Sequence, residues 1–357
     1  FAKESLKPGF FGGLAQSEVQ TLLSQLLGDE KGRNLTQVLT TGLEKDTTVE
    51  QSVALYQVAL GERSWEDFLA RYGHRAVNEM ELAQPRWRED PEPLKKMLAG
   101  FRQAGRDTPQ QRHAQQQAKR AQAEAELPQV LAEAGGSFLL QPIQAALHEA
   151  QALLPYREAG KHYLMMGYEA IRQVLVELAQ RWNLGRDLFF LRLDEIPRFE
   201  YERVQLEKEI ASRKVRWQAF QKLHPADVID SRELEHLGKP LPREKTGARL
   251  QVAARPIASG VGKGTARVVF DPAEAENLGT DYILVCPSTD PGWTPLFVQA
   301  RGLIVERGGV LSHGAIVARD FGIPAVVCED ATQLISSGMR IEIDAVRGFI
   351  TALEEGA

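Results

Sequence analysis

The spacing of apolar residues changes near Gly238, and that change constrains the fold more than any other feature of the sequence. Up to residue 237, apolar side chains recur at helical spacing. Beyond Ala248 they come as short β-branched runs separated by Gly, Pro and Asp. A period near 3.6 and a strand pattern cannot share one layer, so the chain reads as two domains of different class. Between them Gly238–Gly247 (GKPLPREKTG) carries two prolines and few apolar residues, which is linker composition. Fully stretched, ten residues reach about 33 Å. The expected organisation is a helical domain over 1–237, a flexible linker over 238–249 and an α/β domain over 250–357. The 357 residues are enough for two or three domains.

Within the helical part, Val49, Val53, Tyr56 and Leu60 fall on one face of a helix over 49–60. Thr47 is its expected cap, with Glu50 as capping-box partner. Trp65–Tyr72 is a second helix, capped by Ser64 and broken at Gly73. Gln103–Ala134, rich in Ala, Gln, Arg and Glu, reads as a solvated helix or a connection. Phe138–Leu153 and Tyr163–Trp182 are amphipathic helices, Asp187–Ile196 a short extended piece running into a turn, and Glu202–Leu223 a charged helix. Strands are expected at 267–270, 282–286, 302–306, 325–328 and 340–344.

Charge and cysteine content remove several classes. Forty-three basic against 48 acidic residues leave a net charge of −5, without the basic excess of a general nucleic-acid binder. No apolar run approaches the roughly 20 residues of a membrane span, and the first residues lack a signal-peptide core. Cys286 and Cys328 can build neither a disulfide framework nor a four-ligand zinc site. They sit on apolar strands as core residues, and a reducing, cytoplasmic setting is expected. No metal-ligand cluster is expected. The chain begins at Phe1 rather than Met, as a fragment or processed product would.

The stretch from Glu306 to Val326 (ERGGVLSHGAIVARDFGIPAV) carries the chemistry. A strand ends at Glu306, and Gly308-Gly309 permits a tight turn. Ser312 stands where an N-cap belongs, and a helix from His313 would stop at Gly322 and Pro324. His313 then lies in a first helical turn, where unpaired N–H groups and the helix dipole favour negative charge. A neutral imidazole nitrogen is a nucleophile near pH 7. Arg319 or Arg307 would neutralise charge added there. Spacing alone leaves a second reading open, a structural elbow with a capping histidine. Gly260–Gly264 (GVGKG) lacks the spacing of a phosphate-binding P-loop.

The run GGVLSHGAIVARDFGIPAVV closely resembles the active-site signature of the PEP-utilising phosphohistidine enzymes, a family that includes phosphoenolpyruvate synthase, pyruvate phosphate dikinase and rifampicin phosphotransferase. Ser259–Val269 and Cys286–Phe297 resemble the same family's mobile domain, so the likeness covers about residues 250–354 in register. It implies a swivelling β/β/α domain phosphorylated on His313, with Ser312 and Arg319 beside it, Gly309 and Gly314 binding phosphate, and Thr289, Asp290 and Thr294 lining the pocket. Trp293 and Pro291 read equally as a rigid packed turn. Leu311 stands where the dikinases regulated by threonine phosphorylation carry Thr, so that control is not expected.

The helical half resembles, more patchily, the acceptor-binding domain of rifampicin phosphotransferase, through Phe68–Arg75, Pro85–Pro91 and Tyr156–Lys161. Arg157 and Lys161, four apart, would share a helix face and meet a phosphate; the alternative is a solvated face salt-bridged to Glu158. His74 is a candidate general base for an acceptor hydroxyl, or a buried hydrogen-bonded histidine, and Arg75 and Glu79 are candidate acceptor contacts in the same loop.

The resemblance implies a two-part cycle. ATP and Mg²⁺ in an ATP-grasp domain pass the β-phosphate to the histidine, releasing AMP and phosphate; the domain then swings to an acceptor. Neither an ATP-grasp domain nor the TIM barrel of the dikinases fits within these residues, so no cofactor is expected on this chain alone. The expected partners are an ATP-grasp domain or subunit and a small hydroxyl acceptor, with no nucleic acid and no membrane. The fold expected is multidomain α and α/β. Two rival readings are a non-catalytic ligand-binding protein and a pure phosphocarrier subunit of a phosphoenolpyruvate- or phenylphosphate-synthase-like complex.

Overall fold

A computed structural model describes residues 4, 7–98, 108–221, 251–272, 275 and 278–353. The expected linker over 238–249 lies outside them. The protein is mostly helical, with one mixed sheet, and its residues divide into two compact units, 1–168 with 249–357 and 169–248. No helix among the described residues is long and apolar enough to cross a membrane.

In the first unit, α1 (Lys7–Leu27), α2 (Asp29–Leu39), α6 (Pro109–Glu133) and α7 (Leu140–Leu153) share a core of Val19, Leu23, Leu39, Leu127, Leu131, Ile143 and Leu147. The polar α6 is thus anchored by only two leucines one turn apart, and its N-terminus carries a full capping box from Thr108 and Gln111. A second group comprises α3 (Thr47–Leu60), α4 (Trp65–Tyr72) and α5 (Glu92–Leu98). Ser64 caps α4 as expected. The cap of α3 is Asp46 rather than Thr47: its carboxylate accepts from the N–H groups of Thr48 and Val49. The buried face of α3 only partly matches the expected one, keeping Val49 and part of Tyr56. Ser52, Ala54, Leu55, Val58 and Ala59 are buried, whereas Leu60 is exposed. Small residues there let neighbouring helices close in, which an apolar-only count overlooks.

The sheet has the order β1-β8-β7-β3-β4-β5-β6-β2. Its strands are β1 (Gln251–Ala253), β2 (Arg255–Ala258), β3 (Val261–Val268), β4 (Tyr282–Cys286), β5 (Ala300–Val305), β6 (Ala325–Val327), β7 (Arg340–Asp344) and β8 (Phe349–Ala352). The central pairs β3–β4, β4–β5 and β5–β6 are parallel and the others antiparallel. Strand alternation sorts side chains onto two faces. Ile283, Val285, Ile304 and Val326 pack on one face with Ile341, Ile343 and Ile350. Tyr282, Leu284, Leu303 and Val305 pack on the other, beneath α10 (Thr294–Phe297) and α11 (His313–Asp320). That second core runs on without a break into Phe68, Tyr72, Trp87 and Leu94 of the helical part. β1, β2 and β8 were not expected from sequence, since they are only three or four residues long with little alternation, and β3 begins at Val261, before the strand expected at 267–270. A further helix, α12 (Ala331–Leu334), precedes β7.

In the second unit, Gly185–Phe190 and Ile196–Arg198 are 3₁₀ helices, where an extended piece was expected. Phe199 packs with Leu206 and Ile210 of α9 (Arg203–Phe220), against Trp182, Leu184 and Phe190. Arg213 joins Glu195 by two hydrogen bonds of 2.6 and 2.7 Å and donates to the Phe190 carbonyl at 2.8 Å. Apolar residues that read as a strand here instead close around a short helical turn held by that ion pair.

Candidate functional site

β5 ends at Val305 on the sheet's parallel centre, and the chain turns through Gly308, whose φ of 150° suits glycine. The Ser312 N–H donates to the Gly309 carbonyl at 2.9 Å, closing the turn. The Ser312 hydroxyl then accepts from the Ala315 N–H at 3.3 Å as the N-cap of α11. His313 is therefore the first residue of a helix, as its sequence context requires. Gly322, with φ of 63°, ends that helix. Gly314 is needed for closeness: a Cβ there would lie 2.4 Å from the Thr289 hydroxyl.

His313 is buried, and both ring nitrogens have partners. Nδ1 lies 3.3 Å from Glu158 Oε2, and Nε2 lies 3.2 Å from the Thr294 hydroxyl. Glu158 comes from α8 (Tyr156–Arg181), 155 residues earlier in the chain. It also accepts from the Thr48 hydroxyl at 3.1 Å and pairs with Arg157 at 2.9 Å. Burial alone would raise its carboxyl, but the hydrogen bond with His313, then Arg157 and Lys161, hold it well below the ordinary carboxylate range. Glu158 is therefore an anion, and the tautomer we assign places the His313 proton on Nδ1 and a lone pair on Nε2.

Glu158 and Thr48 are the residues the sequence did not single out. Glu158 was legible only as a salt-bridge partner for Arg157 and Lys161, because nothing local places it against a histidine in another domain. Thr48 carries no motif at all.

The other candidates divide. Arg157 and Lys161 are on one helix as expected, but each is paired, Arg157 with Glu158 and Lys161 with Glu79 at 3.0 Å. Glu79 also receives two hydrogen bonds from Arg75, 2.6 and 3.0 Å long, both side chains fully buried. Burial opposes both charges of that pair, yet mutual attraction wins: the Glu79 carboxyl is lowered and the Arg75 guanidinium raised. Arg75 and Glu79 thus form a buried strut rather than a surface open to a ligand. His74 faces His162 edge-on, ring centroids 4.4 Å apart, and its Nε2 has no hydrogen-bond partner. Burial first, then His162 and Arg75, push its pKa down to about 3, too weak a base to gain from a neutral hydroxyl proton.

Arg319 does not reach the histidine's ring. It is spent on two backbone carbonyls, Ile257 of β2 at 3.2 Å and Val310 of the glycine turn at 2.6 Å, and burial lowers it to about 10. Six residues after His313, its side chain points to the turn that precedes α11. Gly309 contributes its carbonyl to the turn. Asp290 caps the 3₁₀ turn Pro291–Trp293 through the Gly292 N–H and accepts from Asn78. Trp293 and Pro291 are packed in the core. Burial raises both cysteine thiols, Cys328 to about 11. Among the described residues no group of three or more His, Cys, Asp or Glu side chains could hold a metal ion.

Residues 278–348 match the PEP-utilising enzyme mobile domain, and residues 59–158 match the rifampicin phosphotransferase fourth domain. With a mixed sheet that presents a histidine at a helix start, these matches make the chain similar to the PEP-utilising enzymes. It is 32% identical over 324 residues to a rifampicin phosphotransferase of Streptomyces sviceus, covering 87% of this chain and 37% of that protein. To the rifampicin phosphotransferase of Bacillus cereus it is 28% identical over 396 residues, covering 99% and 45%. A probable phosphoenolpyruvate synthase of Staphylothermus marinus is 42% identical over 106 residues, covering 29% and 13%. The chain thus spans less than half the length of these relatives.

Proposed function

We propose that the chain is the acceptor-side core of a phosphotransferase in which His313 carries a phosphoryl group to a hydroxyl acceptor bound among the helices. The observation that carries this reading is the His313 ring. Its Nδ1 proton is held by the buried Glu158 carboxylate, leaving Nε2, at a helix start, as the nitrogen that carries the phosphoryl group to the acceptor.

The donor in this reading is the β-phosphate of ATP, bound with Mg²⁺ in an ATP-grasp module outside these residues. In the transfer, the acceptor oxygen bonds to phosphorus and the Nε2–P bond breaks. Its electron pair returns to Nε2 and the acceptor proton leaves to a base. Glu158 keeps Nδ1 protonated throughout, so the leaving group is a neutral imidazole rather than an imidazolate. Arg157 and Lys161 supply the positive charge around the arriving phosphoryl group. We assign residues 1–237 to the acceptor domain, 250–357 to the swivelling domain, and the segment between them to the tether.

Incubation of the protein and its ATP-grasp module with ATP labelled at the β-position tests the reading. The expected product is an acid-labile, base-stable label on the wild-type chain and none on His313→Ala. Equal labelling of the two, or no label on either, overturns it.

A further inference from the structure

Away from the histidine, two carboxylates of the sheet domain reach across to backbone N–H groups of the helical body. Asp320 Oδ1 accepts from Gly42 at 3.0 Å, and Asp290 Oδ2 accepts from Asn78 at 2.5 Å. The two donors share an unusual trait. Gly42 has φ of 65° and Asn78 has φ of 51°, so both loops enter the left-handed region at the residue whose N–H is presented. At Gly42 no other residue fits, because a Cβ would lie 2.6 Å from the Gln117 backbone. Neither loop N–H serves a helix or a strand of its own.

The positions of the acceptors matter as much. Asp320 is the last residue of α11 and His313 the first, about 10 Å apart along the axis at 1.5 Å per residue. Asp290 lies in the segment that also brings Thr294 to Nε2. A third contact, the Ser259 N–H on Gln37 Oε1 at 2.9 Å, lies outside both. Charged acceptors on N–H donors make strong, directional bonds. The apolar core that continues between the two parts is non-directional and cannot by itself fix a register.

We infer that Asp290 and Asp320 form a two-point docking bracket, which reads the left-handed loops at Asn78 and Gly42 and so lands His313 on Glu158. They are positioning residues, acting through His313. The inference rests on the swivelling reading above, but its test needs neither ATP nor an acceptor.

Amide hydrogen exchange on the whole chain, read residue by residue by NMR, decides it. In the wild type, the amides of Gly42, Asn78 and Ser259 should be protected together. Asp320→Ala should speed exchange roughly tenfold at Gly42, the loss of one net hydrogen bond, and by a similar factor at Asn78 and Ser259, which Asp320 does not touch. Asp320→Asn, which keeps an acceptor oxygen, should stay close to wild type. Faster exchange at Gly42 alone would show a local bond and overturn the bracket. If Asp320→Ala also exposes the β4 amides, and so unfolds, Asp290→Ala is read in its place: coupled acceleration at Asn78, Gly42 and Ser259 supports the bracket, and acceleration at Asn78 alone overturns it. Coupled exchange with no phosphohistidine label would sink the proposed function and leave the bracket standing, and the converse holds.

Discussion

One carboxylate decides what His313 is. Without Glu158 the ring proton would exchange between the two nitrogens; in the tautomer assigned here Nδ1 carries the proton and Nε2 the lone pair. Glu158→Gln keeps the shape but loses the charge that favours the Nδ1 proton. Single-turnover transfer from phosphorylated protein to acceptor should slow by roughly 10²–10⁴-fold, the range for disabling an orienting carboxylate beside a catalytic histidine. The pH dependence has a definite sign. Because the Glu158 carboxyl is held below its ordinary 4.5, its stabilisation is complete above that value and is lost as pH falls below it. The gap in thermal unfolding between the wild type and Glu158→Gln should therefore shrink as pH falls below about 4.5.

Helix ends carry the next level of control. Asp46, at the start of α3, accepts two N–H groups while burial first, then Asp320 and Glu158, raise its carboxyl pKa. Cap and charge therefore pull in opposite directions. Asp46→Ala should lower stability by about 1 kcal/mol through the lost cap. Asp46→Asn retains a capping oxygen and removes the like charge, so denaturant unfolding should place it at or above the wild type. Sequence gave a helix here with the wrong cap, because Thr47 and Asp46 are both good capping residues and only the chain's direction of entry distinguishes them. The short edge strands and the 3₁₀ turns of the second unit escaped for a related reason: their apolar residues have no period of their own and take their form from neighbours.

At the scale of the molecule, the second unit is held partly by one ion pair. Arg213 joins Glu195 and the Phe190 carbonyl around a core of only a few buried side chains. Arg213 holds the Glu195 carboxyl down to about 2. Arg213→Ala should cost about 1.5–3 kcal/mol, the range for hydrogen bonds to charged groups, seen as faster amide exchange across 185–220 with β4 unchanged. In the wild type that contribution is full above pH 4.5 and declines as acid protonates Glu195 down to about pH 2. In the first unit, the sheet domain and helical body are held in contact by a shared apolar core and by directional bonds at its edge.

The linear order of residues settled the strands β4 to β7, the glycine turn, the Ser312 cap and the placing of His313 at a helix start. Each depends on neighbours within a few positions, where backbone sterics and hydrogen-bonding choices are local. Only the folded chain decided what the ring meets. Glu158 lies 155 residues from His313, Asp320 answers a glycine 278 residues away, and Arg319 turns out to serve a backbone turn. Pairings of that kind are fixed by how helices and sheet pack, and no local periodicity records which distant side chain will close the distance.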